Sequence, residues 1–264
     1  MRIPFSQIDA FADRLFAGNP AAVMPLPGWI DEAVLQAIAA ENNLSETAFL
    51  VADAGDAADF TLRWFTPRAE VALCGHATLA AGHFVLSSDD SRDAVRFATR
   101  EAGVLEVARA DTGYAMALPA WAPTPGDLPG VVAALGVDAR ETLFHPKGYV
   151  LAVVADEAAV RDCSPDLPAL AAEGPYVVIV AAPGDESDLV SRVFAPAFGI
   201  DEDPVTGSAH AVMVPFWAQR LGRDRFTARQ LSARGGRLTC RLNGDHVVLG
   251  GGCITVIEGS FLLP

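Results

Sequence analysis

The chain has 264 residues, 51% of them apolar and 20% charged, which is the balance of a folded protein and excludes a disordered or fibrous one. Its 33 acidic residues outweigh 19 basic ones, for a formal charge of −14. No Lys/Arg cluster interrupts that excess, which argues against nucleic acid or an anionic membrane as partner.

Near the N-terminus Asp9, Asp13 and Arg14 interrupt the apolar residues before they reach the length of a secretion signal. No apolar run farther on approaches the roughly 20 residues of a membrane helix. The segment Asp31 to Glu41 opens with acidic residues and repeats apolar ones at Val34, Leu35, Ile38 and Ala39, which predicts an amphipathic helix. It leads through Asn42-Asn43-Leu44-Ser45 into Glu46-Thr47-Ala48-Phe49-Leu50-Val51, a polar turn entering an apolar strand. Phe60 to Phe65 alternates like a half-buried strand. Gly75 to Leu86 is apolar almost all round, as a helix inside something else would be. Pro119, Pro123, Pro125 and Pro129, with Gly126 among them, are the densest breaker cluster. They place a boundary between an N-terminal lobe, 1–118, and a C-terminal lobe, 119–264. Tyr176 to Val180 reads as a buried strand, and Gly207 to Trp217 as a second interior helix despite Pro215.

The two halves repeat one another. Arg63-Trp64-Phe65-Thr66-Pro67 returns 129 residues later as Arg192-Val193-Phe194-Ala195-Pro196, and Gly75-His76-Ala77-Thr78 returns 132 residues later as Gly207-Ser208-Ala209-His210. Arg100 to Leu105 resembles Arg234 to Leu238, again followed by strand-like alternation. Three matches in one order at nearly constant offset point to duplication. The architecture they imply is α+β, with two pseudo-symmetric lobes. Each lobe is a curved, largely antiparallel sheet around one central helix, and both helix starts meet an interlobe cleft.

Those helix starts gather the polar residues. The first reads Leu73-Cys74-Gly75-His76-Ala77, the second Asp203-Pro204-Val205-Thr206-Gly207-Ser208-Ala209. Helix N-termini present unsatisfied N–H groups and the positive end of the dipole, so they hold a carboxylate without Arg or Lys. Gly75 and Gly207 would let a ligand approach the backbone closely. A small carboxylic acid is therefore the expected partner, with Cys74, Gly75, Ala77, Gly207 and Ala209 as its binding residues. Taken singly, each polar residue has a plainer explanation: Asp203 as an N-cap before a proline at the first helical position, Cys74 as a small buried hydrophobe, Glu46 as a solvent-facing turn residue. Their placement at equivalent points of a duplication argues for function. Glu46 has no acidic counterpart in the second half, as expected if one base serves the site.

Cys74, Cys163, Cys240 and Cys253 make no C-x-x-C pair and no Cys/His ligand spacing, so neither a disulfide framework nor a metal site is expected, and a reducing cytoplasm fits best. G-x-G-x-x-G, Walker-type and H-E-x-x-H motifs are missing from the sequence.

Asn43-Leu44-Ser45-Glu46-Thr47-Ala48-Phe49, the stretch Phe65 to Thr78 and Glu202-Asp203-Pro204-Val205-Thr206-Gly207-Ser208-Ala209, in this order, resemble the phenazine-biosynthesis isomerase-like family, similar in fold to diaminopimelate epimerase. The resemblance extends from Asp9-Ala10-Phe11 and Gly18-Asn19-Pro20 to the C-terminal strands. It implies a cofactor-free isomerase, a homodimer, Glu46 as general acid/base, and His76, Asp203 and Ser208 holding substrate or assisting proton transfer. Two-thiol racemases of that fold place a cysteine before each helix glycine. Here Cys74 fills the first place and Thr206 the second, which argues against a two-thiol mechanism. The alternatives are an epimerase using Cys74 with Glu46 or Asp203, and a non-catalytic small-acid-binding protein. A Cys74–His76 hydrolase ranks last, because side chains two apart at a helix start point in different directions.

Overall fold

Alternating apolar residues make strand the dominant regular structure of this chain. The computed structural model describes residues 1–263. In chain order it contains β1 (Arg2–Ala10), β2 (Asn19–Leu26), α1 (Glu32–Asn42), β3 (Glu46–Ala52), β4 (Phe60–Phe65), β5 (Glu70–Val71), α2 (Gly75–Ser87), β6 (Ala94–Ala98), β7 (Val104–Ala110) and β8 (Gly113–Pro119). There follow β9 (Thr124–Pro125), α3 (Pro129–Leu135), β10 (Glu141–His145), β11 (Tyr149–Val153), α4 (Glu157–Arg161), α5 (Leu167–Ala172), β12 (Val177–Pro183) and β13 (Leu189–Ala195). Last come β14 (Ile200–Asp203), α6 (Gly207–Leu221), β15 (Arg225–Gln230), β16 (Gly236–Asn243), β17 (His246–Gly251) and β18 (Cys253–Leu262).

The chain divides into two units, one formed by residues 1–117 with the chain from Gly250 on, the other by Leu118–Leu249. This differs from a lobe running 119–264. The reason is β18, which pairs antiparallel with β1 from Arg2↔Leu262 to Ala10↔Cys253 and so completes the first unit's sheet.

Each unit builds its sheet in the same way. In the first, β2 runs parallel to β3, β3 antiparallel to β4, β4 parallel to β6, and β6 antiparallel to β7. In the second, β11 runs parallel to β12, β12 antiparallel to β13, β13 parallel to β15, and β15 antiparallel to β16. A duplicated sequence has kept a duplicated topology.

In the first unit α2 packs on β1, β2, β3, β6, β7 and β18, which explains why it is buried on nearly every face. Gly82 makes the close approach possible, since a Cβ there would lie 2.6 Å from Val107 Cβ on β7. The amphipathic α1, capped by Asp31, covers another face with Leu35 and Ile38 against Met24, Phe49 and Phe65. In the second unit α6 packs on β11 and β16, while α3, α4 and α5 close a core of Val131, Leu135, Val160, Leu170, Val178 and Phe194. Among the described residues no helix is long and apolar enough to cross a membrane.

Candidate active site

In the first unit Asn43 ends α1 in the left-handed conformation (φ 49°), its N–H bonded to Ala39 O at 3.2 Å. This terminates the helix and turns the chain toward β3. Glu46 is the first residue of that strand and is 8% exposed. Cys74 caps α2 in an extended conformation (φ −140°, ψ 109°), and His76 sits in the helix's first turn. The imidazole lies between two partners: Nε2 is 3.0 Å from Glu46 Oε2, and Nδ1 is 3.5 Å from Cys74 Sγ. The expectation that residues 74 and 76 diverge fails because Cys74 precedes the helix and is not yet helical.

Asn19 completes this cluster. Its Oδ1 accepts from the Ser45 hydroxyl at 2.9 Å, leaving Nδ2 to donate to His76 Nδ1 at 3.2 Å. Whenever the imidazole is neutral, a proton donated to Nδ1 puts the ring's own N–H on Nε2, the nitrogen that lies 3.0 Å from Glu46 Oε2. Burial works against a charged His76. Its contacts with Cys74 and with the Glu46 carboxylate outweigh burial and hold His76 well above its usual value. The Cys74 thiol moves the same way for opposite reasons: burial, then the Glu46 charge, push it up to about 11.

In the second unit the chain reaches α6 differently from the expectation. Asp203 ends β14, and the helix begins at Gly207 with Thr206 as its extended N-cap (φ −114°, ψ 99°). Asp203 is therefore not a helix cap. Its Oδ2 accepts from the Thr206 hydroxyl. The fully buried Gln230, last residue of β15, ties the turn together. Its Oε1 accepts from Thr206 N at 2.9 Å, and its Nε2 donates to Asp203 O at 2.7 Å and Thr206 Oγ1 at 3.2 Å. Ser208 is half-buried in the first turn of α6.

The two helix starts are built alike within their units. Thr78 bonds back to Cys74 O through Oγ1 at 2.6 Å, and the equivalent His210 bonds back to Thr206 O through Nδ1 at 2.8 Å. Gly75, Ala77, Gly207 and Ala209 are buried in these first turns. The structure thus gathers Glu46, Cys74 and His76 at one start, and Asp203, Thr206 and Ser208 at the other. Sequence reasoning assigned no role to Asn19, although it stands in the Gly18-Asn19-Pro20 motif. It missed Gln230 altogether, for which only the inward alternation of its strand gave a signal. The outer scaffold was missed as well: Arg63 bonds Glu70 and Arg192 bonds Glu202, each bidentately, just ahead of its helix start.

A family model described as "phenazine biosynthesis-like protein" matches residues 8–259. A Pseudomonas aeruginosa protein named as an uncharacterized isomerase is 46% identical, with 100% of each chain covered. The crystal structure of a phenazine biosynthesis PhzF-family protein from Enterococcus faecalis is 42% identical with a TM-score of 0.92, each chain again covered completely. A predicted epimerase from Pseudomonas aeruginosa, 20% identical with a TM-score of 0.77 over 99% of this chain and 100% of its own, shares the fold.

Proposed function

The chain belongs to the phenazine biosynthesis-like protein family, and from that membership and the buried Glu46–His76 pair we propose that it is an isomerase shifting a proton between carbons of a small carboxylic acid. The substrate class is an unsaturated or hydroxylated acid, in which a carbon-bound proton is acidified by conjugation. Glu46 removes that proton and returns it to a second carbon. The 3.0 Å approach of His76 Nε2 to Glu46 Oε2 carries this reading: it sets a ring nitrogen able to give or take a proton beside the carboxylate. His76, Asp203 and Ser208 hold the substrate or assist the transfer. The first-turn N–H groups of α2 and α6, around Gly75–Ala77 and Gly207–Ala209, supply the positive potential that an acidic chain otherwise lacks. The chemistry calls on no cofactor.

The test is deuterium uptake from D2O into a panel of small unsaturated and hydroxylated acids. Glu46→Gln should keep binding and lose exchange by about 10²- to 10⁴-fold, the range of a general acid–base group. Cys74→Ser should lose far less, and Asp203→Asn should fall between them. One observation favours a second reading, a thiol-assisted epimerase: Cys74 Sγ stands 3.5 Å from His76 Nδ1. An inactive Cys74→Ser beside an active Glu46→Gln would decide for it.

A further inference from the structure

Glu46, Cys74 and His76 arrive from two elements, the entry of β3 and the start of α2. Each offers one ligand atom such that all three atoms lie within 4.8 Å of one another, and all three residues are buried. Thiolate, imidazole and carboxylate are the donors that zinc and its softer relatives take, and three protein ligands leave the fourth tetrahedral position open. We propose that this cluster is a binding site for a thiophilic divalent cation such as zinc or cadmium, with water in the fourth position.

Geometry and charge both support the assignment. Bonds of about 2.0–2.3 Å to a tetrahedral centre set ligand atoms roughly 3.3–3.7 Å apart. The Cys74 Sγ–His76 Nδ1 separation of 3.5 Å matches one edge of that tetrahedron, whereas the 3.0 Å contact with Glu46 Oε2 is made by the other ring nitrogen, Nε2. Only one ring nitrogen can serve the ion, and the farthest donor must close by at most about 1 Å, a movement within reach of a side-chain torsion. Two anionic donors and one neutral imidazole give an uncharged complex with a divalent ion, which limits the cost of burying charge. On binding, the ion replaces the Cys74 thiol proton, which leaves to solvent. Cys74 and His76 stand only two apart, closer than the usual ligand spacings, and Glu46 is remote from both in the chain, so the set is invisible to a motif search.

An ion here ties up the Glu46 carboxylate and stops proton transfer. That consequence rests on the proposed function; the binding itself does not.

The test is a titration of the full chain, stripped of metal by a chelator, with cadmium and no substrate present, read by the near-ultraviolet sulfur-to-cadmium charge-transfer band. One ion per chain is expected. Affinity should fall by at least about 100-fold in Cys74→Ser and Cys74→Ala, beyond the usual loss from an outer-shell change. It should also fall in Glu46→Gln, and remain in Cys163→Ala, Cys240→Ala and Cys253→Ala. Circular dichroism checks the folding of each variant. No band in the unsubstituted chain, or a band that survives both Cys74 variants, overturns the site. A chain that binds no cadmium yet exchanges deuterium through Glu46 loses the metal site and keeps the proposed function. One that binds cadmium while Glu46→Gln still exchanges keeps the site and loses the function.

Discussion

Arg63 closes on Glu70 with two bonds, Nε to Oε1 at 2.7 Å and Nη2 to Oε2 at 2.6 Å. The second unit repeats this: Arg192 Nε meets Glu202 Oε1 at 2.7 Å and its Nη2 meets Oε2 at 3.0 Å. Both guanidinium groups also lie over a phenyl ring, Phe65 and Phe194 respectively, each 5.0 Å from its centroid. The pairs differ in their reserves. Arg63 has a second carboxylate, Glu32, at 2.7 Å, whereas Arg192 has the carbonyl oxygens of Arg161 and Cys163.

Glu202→Gln should therefore cost more stability than Glu70→Gln, about 2–3 kcal/mol against about 1, because only the first leaves a largely buried guanidinium without a carboxylate. Urea unfolding of the two variants checks this. Equal losses would mean that the pairs are held by packing and not by charge.

Gln230 donates and accepts at the turn before α6 and is fully buried. Gln230→Met keeps the length and removes both functions, leaving Thr206 N–H and Asp203 C=O without this partner. A loss of about 2–6 kcal/mol is expected, about 1–3 for each group left unmatched. Hydrogen exchange at the Thr206 amide should quicken in the variant; an unchanged rate would show that the turn does not depend on Gln230.

His210 is fully buried, with Nδ1 on Thr206 O and, among the described residues, no hydrogen-bond partner at Nε2. Burial pulls its pKa down to about 4, against a smaller opposing effect of the Thr206 carbonyl. The unfolded chain takes up a proton near pH 6.5, whereas the native chain refuses it until about pH 4, so the group's contribution to stability is complete above pH 6.5 and falls as pH drops toward 4. The total is at most about 3 kcal/mol. His210→Asn removes this titration, and the difference in unfolding free energy between the two chains should change across that window. Parallel curves from pH 7 to pH 4 would refute the assignment.

Gly82→Ala improves helix propensity by about 1 kcal/mol yet places a methyl 2.6 Å from Val107 Cβ. Overpacking of this kind typically costs about 1–3 kcal/mol, so the variant should show a net loss of stability or none, never a gain. A raised melting temperature would show that α2 has room to move off β7.

The local signals were sufficient for the elements and for the duplication. The period of Val34, Leu35, Ile38 and Ala39, the alternation of Phe60 to Phe65 and the all-round apolar character of the stretches after Gly75 and Gly207 are properties of neighbouring residues, and α1, β4, α2 and α6 formed where they predicted. The motifs likewise marked Glu46, Cys74, His76, Asp203 and Ser208. What the chain order does not encode is which side chains meet. β18 joins β1 across nearly the whole sequence, which places the chain from Gly250 on in the first unit. Cys74 and His76 turn toward each other because the N-cap backbone is extended, a conformation that helical spacing does not describe. Gln230 reaches Thr206 and Asp203 from a strand 24 and 27 residues away, and Asn19 reaches His76 across 57. Contacts of that kind arise when packing brings distant backbones together, and burial then demands a partner for every polar group left inside.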